Sequence, residues 1–87
     1  MKYLEEEYTP QEIEAMFTLL KNVGMEEPTT EDVLALNNAC RLESCLCTSG
    51  RRAIWYNTTP DPNDTGHALY VDTLDMLTDE EVRRELM

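Results

Sequence analysis

The sequence has only three glycines and no long apolar run, and both shortages exclude familiar classes of protein. Neither a glycine-rich phosphate-binding loop nor a Gly-x-Ser-x-Gly nucleophile elbow is present. No stretch approaches the roughly 18 to 20 consecutive apolar residues that span a bilayer. Glu5, Glu6 and Glu7 stand where a signal peptide needs basic and then apolar residues. We therefore expect a cytoplasmic protein without membrane segments.

Positive charge is also scarce. Lysine and arginine number 7 against 18 aspartates and glutamates, which gives a formal net charge of -11 and a sequence pI near 4.2. Such a potential repels phosphate and anionic lipid and speeds encounter with basic surfaces. A DNA-reading helix-turn-helix needs a basic recognition helix, whereas the second predicted helix opens with Glu31 and Asp32. We therefore expect a partner with a basic surface and no direct contact with nucleic acid.

Three helix starts are marked by a threonine followed three residues later by an acid, the spacing of a capping box: Thr9 with Glu12, Thr29 with Asp32, and Thr78 with Glu81. Apolar residues recur at helical spacing after each start. The pattern predicts a first helix over about Pro10–Val23, ended by Gly24, and a second over about Thr30–Cys45. A third helix closes the chain near Leu86.

Composition changes after Gly50 to residues that favour strands. Ala53–Thr58 and Ala68–Asp72 predict a β-hairpin with a long turn-rich loop between them. A lone two-stranded hairpin is marginal in water, so either the helices cover one of its faces or Lys2–Glu6 adds a third strand. The sequence therefore predicts one small acidic α+β domain over residues 1–87, with a helical hairpin, a β-hairpin or three-stranded antiparallel sheet, and a short C-terminal helix.

The side chains with metal-binding or thiol chemistry are Cys40, Cys45, Cys47 and the single histidine, His67. Their spacing matches no common zinc pattern, and in a helix Cys40 and Cys47 would pack in the core like small apolar residues. His67 follows a loop glycine and should be exposed, and acidic surroundings raise a thiol pKa, which opposes nucleophilic catalysis. We therefore predict a protein without enzymatic activity or cofactor, with a small zinc module as a less favoured alternative.

Acidic residues occur in every segment rather than in one tail. They form either an ordinary solubilising surface or carboxylates spaced like nucleic-acid phosphates, which would occupy a basic groove. Charge alone gives little discrimination, so an aromatic anchor is expected from one strand, where alternation sends two neighbours to opposite faces, one in the core and one exposed. The predicted partner-binding residues are Glu12, Glu14, Glu26, Glu27, Glu31, Asp32, Trp55, Tyr56, Asp61 and Asp64.

In size, acidity and lack of catalytic motifs, the chain resembles small phage-encoded inhibitors of host enzymes and defence systems, including anti-CRISPR and DNA-mimic proteins. This resemblance lies in composition alone and assigns no residue roles. It implies a non-enzymatic inhibitor that occupies the basic surface of a nucleic-acid-handling protein. The alternative is a small adaptor or regulatory subunit that pairs through an apolar helix or hairpin face, with another protein or with itself.

Overall fold

The computed structural model describes residues 3–59 and 61–87. The elements in these residues are, in chain order, α1 Leu4–Glu7, α2 Pro10–Asn22, α3 Thr30–Asn38, β1 Leu42–Leu46, β2 Arg52–Tyr56, β3 His67–Tyr70 and α4 Asp79–Glu85. The strands form one antiparallel sheet in the order β1-β2-β3. None of the helices in these residues is long and apolar enough to cross a membrane. The predicted α+β class and C-terminal helix are confirmed.

Three helices begin where the capping signals predict. At Thr9, Thr29 and Thr78 the threonine hydroxyl accepts a hydrogen bond from the backbone N–H three residues later. The acid at that position accepts a hydrogen bond from the threonine N–H in return. Because the first turn of a helix leaves its N–H groups without partners, these reciprocal bonds set the helix boundary locally. All three predicted capping boxes are confirmed.

The sheet is covered on both faces. We call α1, α2 and α3 the helical layer, and they cover one face around a core that includes Met16, Leu19, Leu20, Val33, Leu42, Ile54 and Leu69. The C-terminal segment covers the other face around a second core of Cys47, Ala53, Ala68, Tyr70, Leu77 and Val82. Side chains alternate along each strand, so β2 and β3 contribute to both cores, while β1 contributes Leu42 to the first and is followed by Cys47 of the second.

The second predicted helix is too long, because its end is β1. Cys40, which was placed inside the helix, has a left-handed φ of 61°. The N–H groups of Cys40 and Arg41 donate to the carbonyls of Asn37 and Leu36, and this pair of bonds closes α3. Leu42–Leu46 then pairs with β2 as an antiparallel strand.

Of the two alternatives for supporting the hairpin, the one in which helices cover a face is confirmed, and the one in which Lys2–Glu6 adds a strand is wrong. Leu4–Glu7 is a short helix, and Leu4 is buried in the first core. Lys2, where the predicted strand begins, lies outside the described residues. The sheet has a third strand, as the marginal stability of a lone hairpin requires, but β1 supplies it from the chain just before the hairpin.

Candidate functional site

Few carboxylates are paired with a cation in the part of the chain that the structure describes. Between described residues, Arg51 contacts Asp72 at 2.8 Å and Arg84 lies 3.9 Å from Glu85. The Arg51–Asp72 pair is well aligned, since two guanidinium nitrogens donate to that carboxylate. Pairing between described residues therefore leaves most of the negative charge expected from the composition uncompensated.

The exposed acids of the helical layer and of the loop between α2 and α3 form one group that lacks a cationic partner among the described residues. We call them the helical-layer carboxylates, and they are Glu5, Glu6, Glu14, Glu26, Glu27 and Glu31. Within the described part of the chain, none of them is in an ion pair with a cation. Four of the predicted partner-binding residues belong to this group. A fifth, Asp32, is half-buried, and its carboxylate accepts the Thr29 N–H at 2.9 Å in the α3 capping box.

Two adjoining grooves show that several of these carboxylates border one surface. The first groove lies between α1 and α2, and Glu5 and Glu14 are part of its lining. The second lies beside the loop that follows α2 and is lined by Lys21 and by the two loop glutamates. Phe17 lines both grooves, so the acidic side chains of the two grooves lie on either side of its aromatic ring.

The first groove is mostly apolar and has a volume of about 370 Å³. Its apolar walls are Leu4, Tyr8, Ile13 and Phe17. The Tyr8 hydroxyl donates to Asn37 Oδ1 at 2.6 Å, which fixes the position of that ring. The helical spacing of apolar residues after Pro10 predicts an apolar face for α2, on which Ile13 and Phe17 lie. It does not predict the groove, because α1 forms one wall and that segment was considered only as an alternative strand.

Glu12 is not available to a partner, which corrects its place among the predicted binding residues. It is 9% exposed, and its Oε1 accepts the Thr9 N–H at 3.0 Å. Burial raises the pKa of the Glu12 carboxyl, but hydrogen bonds from Ser44 and Thr9 and the charge of Arg52 outweigh burial, so the pKa lies below its usual range. The Glu12 carboxylate is therefore used in the capping box of α2.

The two strand aromatics are both half-buried, so the prediction that one of them is exposed is wrong. Trp55 packs against the second core, and its Nε1 donates to the Thr65 carbonyl at 2.8 Å. Tyr56 packs against the first core. Neither side chain is fully exposed to solvent, because both faces of the sheet are covered. On the acidic side, the aromatic rings that line a groove are instead Tyr8 and Phe17.

Asp61 and Asp64 are exposed but belong to a different part of the surface. Asp64 accepts hydrogen bonds from the Gly66 N–H and the Thr59 hydroxyl, both at 2.9 Å, and these bonds lower its pKa. The Asp61 carboxylate accepts the N–H two residues later. Thr65, at the end of this loop, donates to the carboxylate of the first α4 residue at 3.0 Å. The loop is therefore attached to α4 and not to the helical layer.

The structure does not gather the cysteines and the histidine into one site. Cys40 and His67 are exposed, Cys45 is half-buried and Cys47 is buried. Across residues 3–59 and 61–87, no group of three or more His, Cys, Asp or Glu side chains could hold a metal ion. Burial, and after it the charge of Glu43, raises the pKa of Cys45 to about 12. Burial also raises the pKa of Cys47. Both thiols are therefore protonated at neutral pH.

Comparisons with known proteins give no relative from which a function could be carried over. No protein-family model, no curated protein and no solved structure matches this chain. What the protein does is therefore inferred from its own residues.

Proposed function

We propose that this protein is a non-enzymatic binding protein that occupies the basic surface of a nucleic-acid-handling protein and so inhibits it. The observation that carries the proposal is the group of exposed helical-layer carboxylates, which form no ion pair with a cation of residues 3–59 and 61–87, on a chain of net charge -11. Fixed negative charges of this number attract a basic surface and compete there with phosphates. We place this interaction in a cytoplasm, that of the producing cell or of its host.

The helical layer is the favoured contact surface because many carboxylates elsewhere have internal partners. Asp72 accepts hydrogen bonds from Arg51. Glu81 closes the α4 capping box and accepts from the Tyr70 hydroxyl. Glu85 accepts from the Ser49 hydroxyl at 2.7 Å. The helical-layer carboxylates make no side-chain hydrogen bond to other described residues, so their charge is free to act on a partner.

The test compares two double charge reversals on different surfaces. Glu14→Lys with Glu31→Lys changes the helical layer, and Asp75→Lys with Glu80→Lys changes the α4 side. In each variant, two reversals of two charges each take the net charge from -11 to -7. All four positions are exposed, and each pair includes one residue in the first turn of a helix, so the cost to folding is matched.

The wild-type protein is immobilised, and a partner is captured from lysate at low salt and identified. We expect a basic nucleic-acid-handling protein whose nucleic-acid binding falls when this protein is added. The helical-layer variant should lose the captured partner, and the α4-side variant should keep it. Raising salt from about 0.1 M to about 0.3 M should weaken binding, because it shortens the Debye length.

The proposal fails if the captured protein is uncharged or acidic where it makes contact. It also fails if the two double variants lose the partner equally, since total charge would then matter and the helical layer would not. A reaction turned over by the pure protein would overturn the non-enzymatic part.

The apolar groove between α1 and α2 favours a second candidate, an adaptor that pairs through apolar contacts. Burial of apolar area is not screened by salt, so an adaptor would bind with nearly the same affinity at both salt concentrations. Its partner would also be retained by the helical-layer charge variant.

A further inference from the structure

We infer that the groove between α1 and α2 receives one bulky apolar side chain from a basic segment of the partner. This inference rests on the proposed function, since it names the part of a basic partner that the helical layer recognises. It commits to a partner segment in which lysine or arginine residues flank a leucine, phenylalanine or similar residue.

The walls of the groove are already in place in the free protein. Leu4 is 3% exposed and belongs to the first core, and Ile13 and Phe17 pack against that core. Tyr8 is held by its 2.6 Å hydrogen bond to Asn37. A side chain that enters a preformed groove gains apolar contact without ordering its walls. The volume of about 370 Å³ is within the range of sites that enclose a small apolar group.

The groove has carboxylates at its rim. Glu5 and Glu14 are part of its lining and are exposed. Neither forms an ion pair with a cation of the described residues. Thr30 also lines the groove, and Glu31 follows it at the start of α3. A cation on either side of the inserted side chain would therefore meet a carboxylate, which gives the site charge complementarity as well as an apolar floor.

The same rim argues against the other occupants. A second copy of this chain carries the same net charge of -11, so docking two copies here would bring like charges together. A wholly apolar partner would desolvate Glu5 and Glu14 without supplying a cation, which is unfavourable for both carboxylates. The occupant that satisfies both parts of the groove is a basic segment with an apolar anchor.

The test uses two short lysine-rich peptides that differ only at the central residue, which is leucine in one and alanine in the other. Their binding to the full chain is measured by fluorescence anisotropy at two salt concentrations. We expect the leucine peptide to bind about tenfold more tightly, the effect of burying one leucine side chain in part. Higher salt should weaken both peptides but preserve the ratio, because apolar burial is not screened.

Thr30→Trp is the variant that fills the groove. Thr30 is exposed, and its side chain makes no hydrogen bond to another described residue, so the change should leave the fold intact. It should remove the advantage of the leucine peptide and leave the affinity of the alanine peptide unchanged. Thr58→Trp, at an exposed position outside the groove, is the matched control and should preserve the advantage. A urea midpoint for each variant verifies that it is folded.

The outcomes separate this inference from the proposed function. If both peptides bind equally well and salt weakens both, the groove does not take an anchor, and the charge-based function stands. If neither peptide binds at low salt, the proposed function fails and the inference fails with it. If light scattering finds a dimer that Thr30→Trp dissociates, the groove belongs to a second copy and the inference is overturned.

Discussion

Replacing Glu12 with alanine should destabilise the fold without weakening the binding of a basic partner, because this carboxylate is used inside the molecule. Two contacts are lost in the variant. The first is the 3.0 Å hydrogen bond from the Thr9 N–H, which closes the capping box of α2. The second is the interaction of the carboxylate with Ser44 on β1, which helps to lower the pKa of Glu12.

The size of the effect follows from these contacts. Loss of the hydrogen bond from the Thr9 N–H to this charged acceptor costs about 1.5 to 3 kcal/mol. A loss of this size lowers the Tm of a domain of this length by roughly 10 °C or more. Glu12→Gln keeps an acceptor oxygen and the side-chain stem, so it should cost about 1 kcal/mol.

The assay is urea and thermal unfolding followed by circular dichroism. Glu14→Ala is the matched control, because it lies on the same helix but is exposed, and it should change stability by no more than about 0.5 kcal/mol. Acid provides a second readout. Since the folded pKa of Glu12 is lowered, its contribution is complete above the unfolded pKa and is lost as the pH falls through the folded pKa. The gap between wild type and Glu12→Gln should therefore close in acid.

The reasoning would be refuted if Glu12→Ala unfolded at the same midpoint as Glu14→Ala. A stability gap to Glu12→Gln that stays constant on acidification would show that the charge of the carboxylate is not what stabilises the fold. A loss of basic-peptide binding by Glu12→Ala, in protein shown to be folded, would return this residue to the contact surface.

Two further predictions concern the cysteines. Cys40→Gly should stabilise the fold by about 1 kcal/mol, because φ is 61° there and glycine adopts a left-handed conformation more readily than cysteine. Gly24→Ala, at a φ of 102°, should destabilise the fold by about as much. Equal urea midpoints for wild type and Cys40→Gly would contradict this. Iodoacetamide at about pH 8 should label exposed Cys40 first, with Cys45 slower by on the order of a hundredfold or more because its pKa is about 12. Mass spectrometry that found equal labelling rates would contradict the burial of that thiol.

The helix starts were predictable because a capping box is a local device. Its two hydrogen bonds join residues three apart, so the sequence of Thr78 to Glu81 contains the whole interaction. No contact from elsewhere in the chain is needed to fix where the helix begins. The same holds for the start at Thr9, although there the acid has a second role that only the fold reveals.

The end of α3 was not predictable from the usual sequence signal. α2 and α3 end with the same two hydrogen bonds, in which the N–H groups of two successive residues reach back to carbonyls of the last turn. In α2 the residue with left-handed φ is Gly24, which sequence analysis recognised as a stop. In α3 it is Cys40, whose side chain makes that conformation unfavourable and gives no such signal.

The strand that follows was missed for a related reason. Leu42 and Leu46 are four residues apart, which fits a helix, and they also fit the alternation of a strand. In the structure both lie on β1, where Leu42 is fully buried and Leu46, at the end of the strand, is 64% exposed. Local pattern could not decide between the two, because pairing with β2 depends on a segment that comes later in the chain.

The acidity of the candidate site was predictable from the sequence, but the arrangement of its carboxylates and the groove was not. Composition gives the net charge. Which carboxylates form internal hydrogen bonds, however, depends on residues that are far away in the sequence. Ser44, which helps to lower the pKa of Glu12, comes from a strand predicted as helix, and the groove needs α1 as a wall. Trp55 and Tyr56 were predicted to supply an exposed aromatic anchor, on the assumption that one face of the sheet is open. Both faces of the sheet are covered.

The division of carboxylates between internal and external roles argues for a basic partner over solubility alone. Self-repulsion among like charges destabilises a compact chain, and a small domain stays soluble with a net charge of magnitude about 2 to 8. This chain carries -11. Acids such as Asp72 and Glu85 offset that repulsion through internal hydrogen bonds. Glu5 and Glu14 make no such bond to any residue that the structure describes, and they lie at the rim of a preformed apolar groove. Cations of a partner at that rim would offset the repulsion among these carboxylates by attracting them. A surface that serves solubility alone has no need of a groove beside its carboxylates.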